Sequence, residues 1–204
     1  MLLTKPLRLA LPLLGSALML ALTLPGAISM EMSVNGQRML LSGSIKSGDQ
    51  YKFHDLLAAH ADVKIIELKS TGGNIVAAGE MGRQIREKSL TTSVDGATSV
   101  CGSACTILFA AGVQRLYING EMIKDGPGSP KNGRGLGYHE GNSFLANGKR
   151  GQSGSATGAV INWYYEFGAK QAAELATKAD WKHFYYVSSP RALQMGLATE
   201  IKRK

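Results

Sequence analysis

Val100-Cys101-Gly102-Ser103-Ala104-Cys105-Thr106-Ile107-Leu108-Phe109-Ala110-Ala111-Gly112 is the stretch on which the reading of this chain turns. Small residues fill its first half. An apolar run from Ile107 to Ala111 fills the second, and Gly112 stands where a helix C′ glycine belongs. The pattern predicts a turn at Gly102 and a short buried helix that starts at Ser103. A hydroxyl there lies at the positive end of the helix, where an anion or a developing oxyanion is stabilised. The same residue also suits a plain N-cap, whose side chain satisfies a first-turn N–H. The flanking segments weigh on that choice.

Upstream, residues 63–68 read as a strong strand. The glycine turn Ser70-Thr71-Gly72-Gly73-Asn74 follows, then a helix over 75–88 with apolar residues at 75, 76, 81 and 85, then a strand over 90–94. Further back, Met39 to Gly43 with Ile45 reads as a strand with a turn. Residues 49–61 read as a helix with Phe53, Leu56, Leu57 and Ala58 on its apolar side. Downstream, 115–118 is again a strand. Strand, Gly-Gly turn, helix, strand, Ser turn, helix, strand is an α/β pattern of successive crossovers. Residues 120–158 are rich in Gly, Ser, Asn and Lys and read as a loop-rich insertion, in which Leu136-Gly137-Tyr138-His139-Glu140-Gly141 stands out. Helical periodicity returns over 157–178. Phe184 to Val187 is strand-like, Ser188-Ser189-Pro190 opens a last small helix over 191–195, and 199–201 suits a final strand. No internal repeat is present, and one domain over 30–204 accounts for the pattern.

The chain start has a different character. Residues 1–8 are short and basic, with Lys5 and Arg8. Residues 9–24 are apolar, Pro25-Gly26 turns, and Ala27 and Ser29 supply small residues at −3 and −1 of a cleavage site. This is the layout of a signal peptide over 1–29, and it predicts a periplasmic or secreted protein. The alternative is an uncleaved anchor facing the periplasm, although the apolar run is slightly short for a spanning helix. The 204 residues, 44% of them hydrophobic, are enough for one domain with a real core. The net charge of +8 is diffuse. Apart from the tail Lys202-Arg203-Lys204 there is no basic run and no aromatic interleaving, which counts against a nucleic-acid partner. Cys101 and Cys105, four apart, would sit in an oxidising compartment. Inside one regular helix they do not suit a bridge; with Cys101 ahead of the helix, a disulfide would pin the turn that presents Ser103. The pair is too few for a zinc site.

From about residue 38 to 201 the chain resembles the ClpP/crotonase superfamily, in particular ClpP-like serine peptidases and their secreted relatives. Four pieces in order carry the resemblance: Ser70-Thr71-Gly72-Gly73 after a strand, Gly102-Ser103-Ala104 at a helix start, His139 after an extended segment, and Val187-Ser188-Ser189-Pro190-Arg191-Ala192 through Gly196-Leu197. The resemblance implies a repeated ββα superhelix. It implies Ser103 as nucleophile, His139 as base, and an oxyanion hole built from the N–H groups of Gly73 and Ala104. It also implies a peptide or protein substrate, a homo-oligomer and no cofactor or metal. Alignment on Pro190 and Gly196 puts the family's aspartate at Phe184, which cannot act as one. Asp180, four residues earlier, is the nearest substitute, and a dyad or a degenerate site is the alternative.

Other residues compete. His54 and His60 read as surface residues of the early helix, and His183 is a second-ranked rival to His139. Either cysteine near a helix N-terminus would have a lowered pKa, but a bridge would consume it. The resulting expectation is an exported serine hydrolase, a peptidase rather than an acyl-CoA enzyme. Its rival is a non-catalytic binding or self-assembly module on the same fold.

Overall fold

A computed structural model describes residues 29–203. The signal-peptide reading of 1–29 therefore lies, except for Ser29, outside the described residues. The chain opens with a hairpin, β1 (Glu31–Asn35) and β2 (Arg38–Ser42), turning at Gly36 with φ +54°. From β2 the sheet continues in parallel through β3 (Ile65–Lys69), β4 (Thr91–Asp95), β6 (Gln114–Ile118) and β12 (Glu200–Lys202). Strand order follows chain order, as expected when each crossover carries the chain one position along. In β2 and β3 the period is two: Met39, Leu41, Ile66 and Leu68 are buried, while Leu40 and Glu67 between them are half-exposed. The crossovers hold α1 (Asp49–Ala59), α2 (Ile75–Glu87) and α3 (Ala104–Ala111), and all eight residues of α3 are buried.

A second, smaller sheet has the order β5 (Val100–Gly102), β8 (Gly135–Tyr138), β11 (Phe184–Val187), β7 (Gly126–Gly128). Ser70 joins it through an isolated parallel bridge to Cys101. Three of the large-sheet strands, β3, β4 and β6, are thus followed by a short piece of the small sheet and then by a helix. The sequence β3, Ser70, α2 is repeated by β4, β5, α3 and by β6, β8, α4 (Gly154–Glu166). This is the repeated ββα winding expected. Helix α4 packs across α2, where Gly79 makes room for the Trp163 indole; a Cβ on Gly79 would stand 2.0 Å from that ring. Arg83 of α2 lies 4.6 Å over the same ring and pairs with Glu166 at 2.7 Å.

Three elements differ from the sequence reading. Strand β1 was not expected, although Asn35-Gly36 is a hairpin signal. The stretch 120–158 is not a plain loop: besides β7 and β8 it contains a 3₁₀ turn at Pro130–Asn132 and the hairpin β9 (Asn142–Phe144) with β10 (Arg150–Gln152). Every residue of β8 is buried, its two glycines lying under aromatic side chains. The single helix read over 157–178 is two, α4 and α5 (Lys170–Leu175), parted at Gly168 with φ +73°. The last helix, α6, spans Ser189–Gln194 and carries Pro190 in its first turn. Among the described residues no helix is long and apolar enough to cross a membrane, and no cluster of three or more metal-ligating side chains occurs.

Candidate active site

The Gly102-Ser103-Ala104 turn joins β5 to α3. Ser103 takes φ +54° and ψ −130°, a conformation that L-residues avoid. Its hydroxyl makes no capping hydrogen bond, so the N-cap reading does not describe it. The main chain holds the turn instead: Ser103 N–H donates to the Gly137 carbonyl of β8 at 2.9 Å, and Gly102 N–H donates to Ser70 at 2.9 Å. Cys101 in β5 and Cys105 in α3 form a disulfide across the turn, with Cα atoms 5.2 Å apart and both residues fully buried. Because Cys101 lies ahead of the helix, the bridge that a regular helix would forbid is available. Neither thiol remains free.

The paired glycines lie against this turn. Gly72 has φ +97°, and a Cβ on it would stand 2.6 Å from Ser103 Cβ and 2.8 Å from Ala104 N. Only glycine permits that approach. Gly73 forms a parallel bridge with Ile45, in which Ile45 N–H donates to Gly72 O and Asn74 N–H donates to Ile45 O, each at 2.9 Å. Such a bridge uses the neighbours' groups and turns the Gly73 N–H to the other side. Ala104 N–H belongs to the first turn of α3, which has no intrahelical acceptor. Among the described residues neither N–H has a hydrogen-bond partner. Asn74 then caps α2 by accepting from Ala77 N–H at 2.8 Å.

Ser103, His139, Gly72 and Gly73 all line one cleft of about 490 Å³. His139 follows the last residue of β8 and is 7% exposed. Its Nδ1 is buried with no hydrogen-bond partner. Burial pushes its pKa down to about 4, against a smaller opposing pull from the Trp181 main chain and the Asp180 charge. The ring is therefore neutral at ordinary pH and able to accept a proton. No hydrogen bond links it to Ser103 among the described residues.

Phe184, the residue that the alignment on Pro190 and Gly196 sets opposite the family's aspartate, packs against the His139 ring. Its ring centroid lies 5.0 Å from that of His139. The same ring covers Gly102 and Gly137, where Cβ atoms would stand 2.2 Å and 2.7 Å from it. Phe184 thus underlies both the serine turn and the strand that carries the imidazole. The sequence pointed to this residue only as a gap in a triad; glycines at 102 and 137 were the signal that a large ring lay over them. Asp180 is not brought into hydrogen-bond contact with His139. Its carboxylate accepts from Lys182 N–H at 2.8 Å and pairs with the His183 ring at 2.9 Å, on an exposed loop. His183 is occupied there, away from the cleft, and His54 and His60 are exposed on and after α1. Glu140, beside His139, accepts from Gln152 Nε2 at 2.6 Å.

The sequence matches no known protein-family profile and no curated protein. Solved structures do resemble it. A serine-to-alanine mutant of 1510-N, a membrane-bound stomatin-specific protease, superposes with a TM-score of 0.57 at 17% identity, over 79% of this chain and 76% of that one. A lysine-to-alanine mutant of the same protease, in complex with a substrate peptide, gives 0.55 at 15% identity, over 79% and 72%. At such identities the likeness is one of fold: this chain has the fold of a ClpP-like peptidase.

Proposed function

We propose that the protein is an exported serine hydrolase, a peptidase, in which Ser103 is the nucleophile and His139 the general base. The observation that carries this reading is Ser103 itself, held at φ +54° with an uncommitted hydroxyl in a cleft it shares with a buried neutral imidazole. Strain of that kind, on the order of 1–3 kcal/mol, persists where the surroundings over-determine it, and it clusters at functional sites. Ser103 Oγ attacks the scissile carbonyl carbon while His139 takes the hydroxyl proton. The carbonyl oxygen becomes an oxyanion that accepts hydrogen bonds from Gly73 and Ala104 N–H. The C–N bond then breaks, the proton passes from His139 to the departing amine, and water releases the acyl group by the same path reversed. Each oxyanion donor contributes roughly 3 kcal/mol to transition-state stabilisation. Protease activity in proteins of this fold supports the peptide substrate, the layout of residues 1–29 supports export, and the usual habit of the fold supports a homo-oligomer.

Phe184 at the position of the acid implies a dyad, whose histidine has no carboxylate to fix its tautomer. The rate then falls short of a full triad, by up to about 10⁴-fold. The same residue is what favours the second reading, a binding module that keeps the fold without turnover. A fluorophosphonate probe separates the two. We expect slow covalent labelling of the folded protein at Ser103, seen by mass spectrometry of the labelled peptide, and none in Ser103→Ala. Hydrolysis that persists undiminished in Ser103→Ala would rule out the assigned nucleophile.

A further inference from the structure

Among the described residues the charged side chains lining the cleft beside His139 are two, Lys46 and Arg150, and both are cationic. Lys46 follows Ile45, the residue bridged to Gly73, and so stands beside one oxyanion donor. Arg150 lies on β10 beyond the base. It donates to Asn142 Oδ1 at 3.0 Å and sits 5.1 Å over the Phe144 ring, contacts that hold the guanidinium without neutralising it. Nearby carboxylates are engaged elsewhere. Asp49 is 2% exposed and accepts from Lys46 N–H and Met30 N–H, Glu140 holds Gln152, and Asp180 holds His183. The first turns of α2 and α3 open on the same cleft and add partial positive charge. A concave site lined by one sign of charge concentrates ligands of the other.

We propose that this cleft selects peptide segments carrying acidic side chains, whose carboxylates are read by Lys46 and Arg150. The inference rests on the peptidase reading for what happens after binding, but the preference itself is a property of the cleft. Two such cations, Lys46 half-buried and Arg150 exposed, each worth up to about fivefold, make an acidic peptide bind on the order of tenfold tighter than its amide counterpart at low salt. The preference shrinks as salt screens the pairs.

The test uses the full chain as Ser103→Ala, so that nothing is turned over. Fluorescein-labelled peptides of identical length, one with Asp and Glu and one with Asn and Gln at the same positions, are titrated by fluorescence anisotropy at 50 mM and 500 mM salt. We expect the acidic peptide to bind about tenfold tighter at 50 mM, and the gap to close when Lys46→Ala and Arg150→Ala are added. Equal binding of the two peptides overturns the proposal. So does a preference that survives loss of both cations, since it would then belong to the overall charge of +8. Failure of the peptidase reading looks different: acidic peptides would bind with the stated preference while the unaltered chain neither cleaves them nor takes the fluorophosphonate label.

Discussion

His139 shows most directly what one side chain's surroundings do to its chemistry. An imidazole in water titrates near 6.5; burial beside Phe184 brings this one to about 4. If His139 is the base proposed, it must be neutral to act, so activity lost on acidification should fall away near pH 4 rather than 6.5. We expect the His139 ring shifts in an NMR titration to move with a midpoint near 4, and Ser103 labelling to stay level from pH 8 to 5. A midpoint near 6.5 would mean that the ring is wet. Stability carries the same sign. Between 6.5 and 4 the unfolded chain binds a proton that the folded chain refuses, so folding weakens as pH falls through that window, by about 3 kcal/mol in all. Ser103 and His139 could be singled out from the sequence because short motifs mark them, and both line one cleft. The role of Phe184 could not, because packing over two glycines leaves no periodic signal, and Asp180 looked available because its partner His183 is set by a local turn.

At the scale of elements, the legible parts were those with their own local cause. Helix α2 begins where Asn74 caps it, and α3 begins where the small-residue turn ends. Strands β7, β9 and β10 were not legible, because three residues each carry no alternation; β7 pairs only with the distant β11, and β9 and β10 only with each other. The unit β5–turn–α3 also makes a prediction of its own. Its disulfide closes a loop so short that unfolded-state entropy accounts for only about 2 kcal/mol. The larger consequence is geometric, since the bridge straddles a residue at φ +54°. Replacing both cysteines by alanine should therefore lower the Ser103 labelling rate at least tenfold, while circular dichroism still reports a folded protein. Labelling that keeps pace with the oxidised protein would show that the main-chain bonds to Ser70 and Gly137 hold the turn unaided.

At the scale of the whole molecule, the cleft is a junction of two sheets, and its geometry depends on how firmly one is fixed to the other. The large sheet delivers Gly73 at the end of β3, and the small sheet delivers His139 at the end of β8. Tyr117 of β6 ties them. It is fully buried, its hydroxyl donates to Val187 O of β11 at 2.9 Å, and it accepts from Leu136 N–H of β8 at 3.2 Å. Burial pushes its pKa far above the ordinary value, so it keeps its proton and its donor role at every working pH. Tyr117→Phe keeps the ring but strands a buried carbonyl and a buried N–H. We expect a loss of about 1–3 kcal/mol in denaturant unfolding. We also expect slower labelling of Ser103 well below the unfolding midpoint, because β8 leads into His139 and carries the carbonyl that holds the Ser103 N–H. If the variant were less stable but labelled at the unaltered rate, the small sheet would be positioned by its ring packing, and the hydroxyl would matter to folding alone.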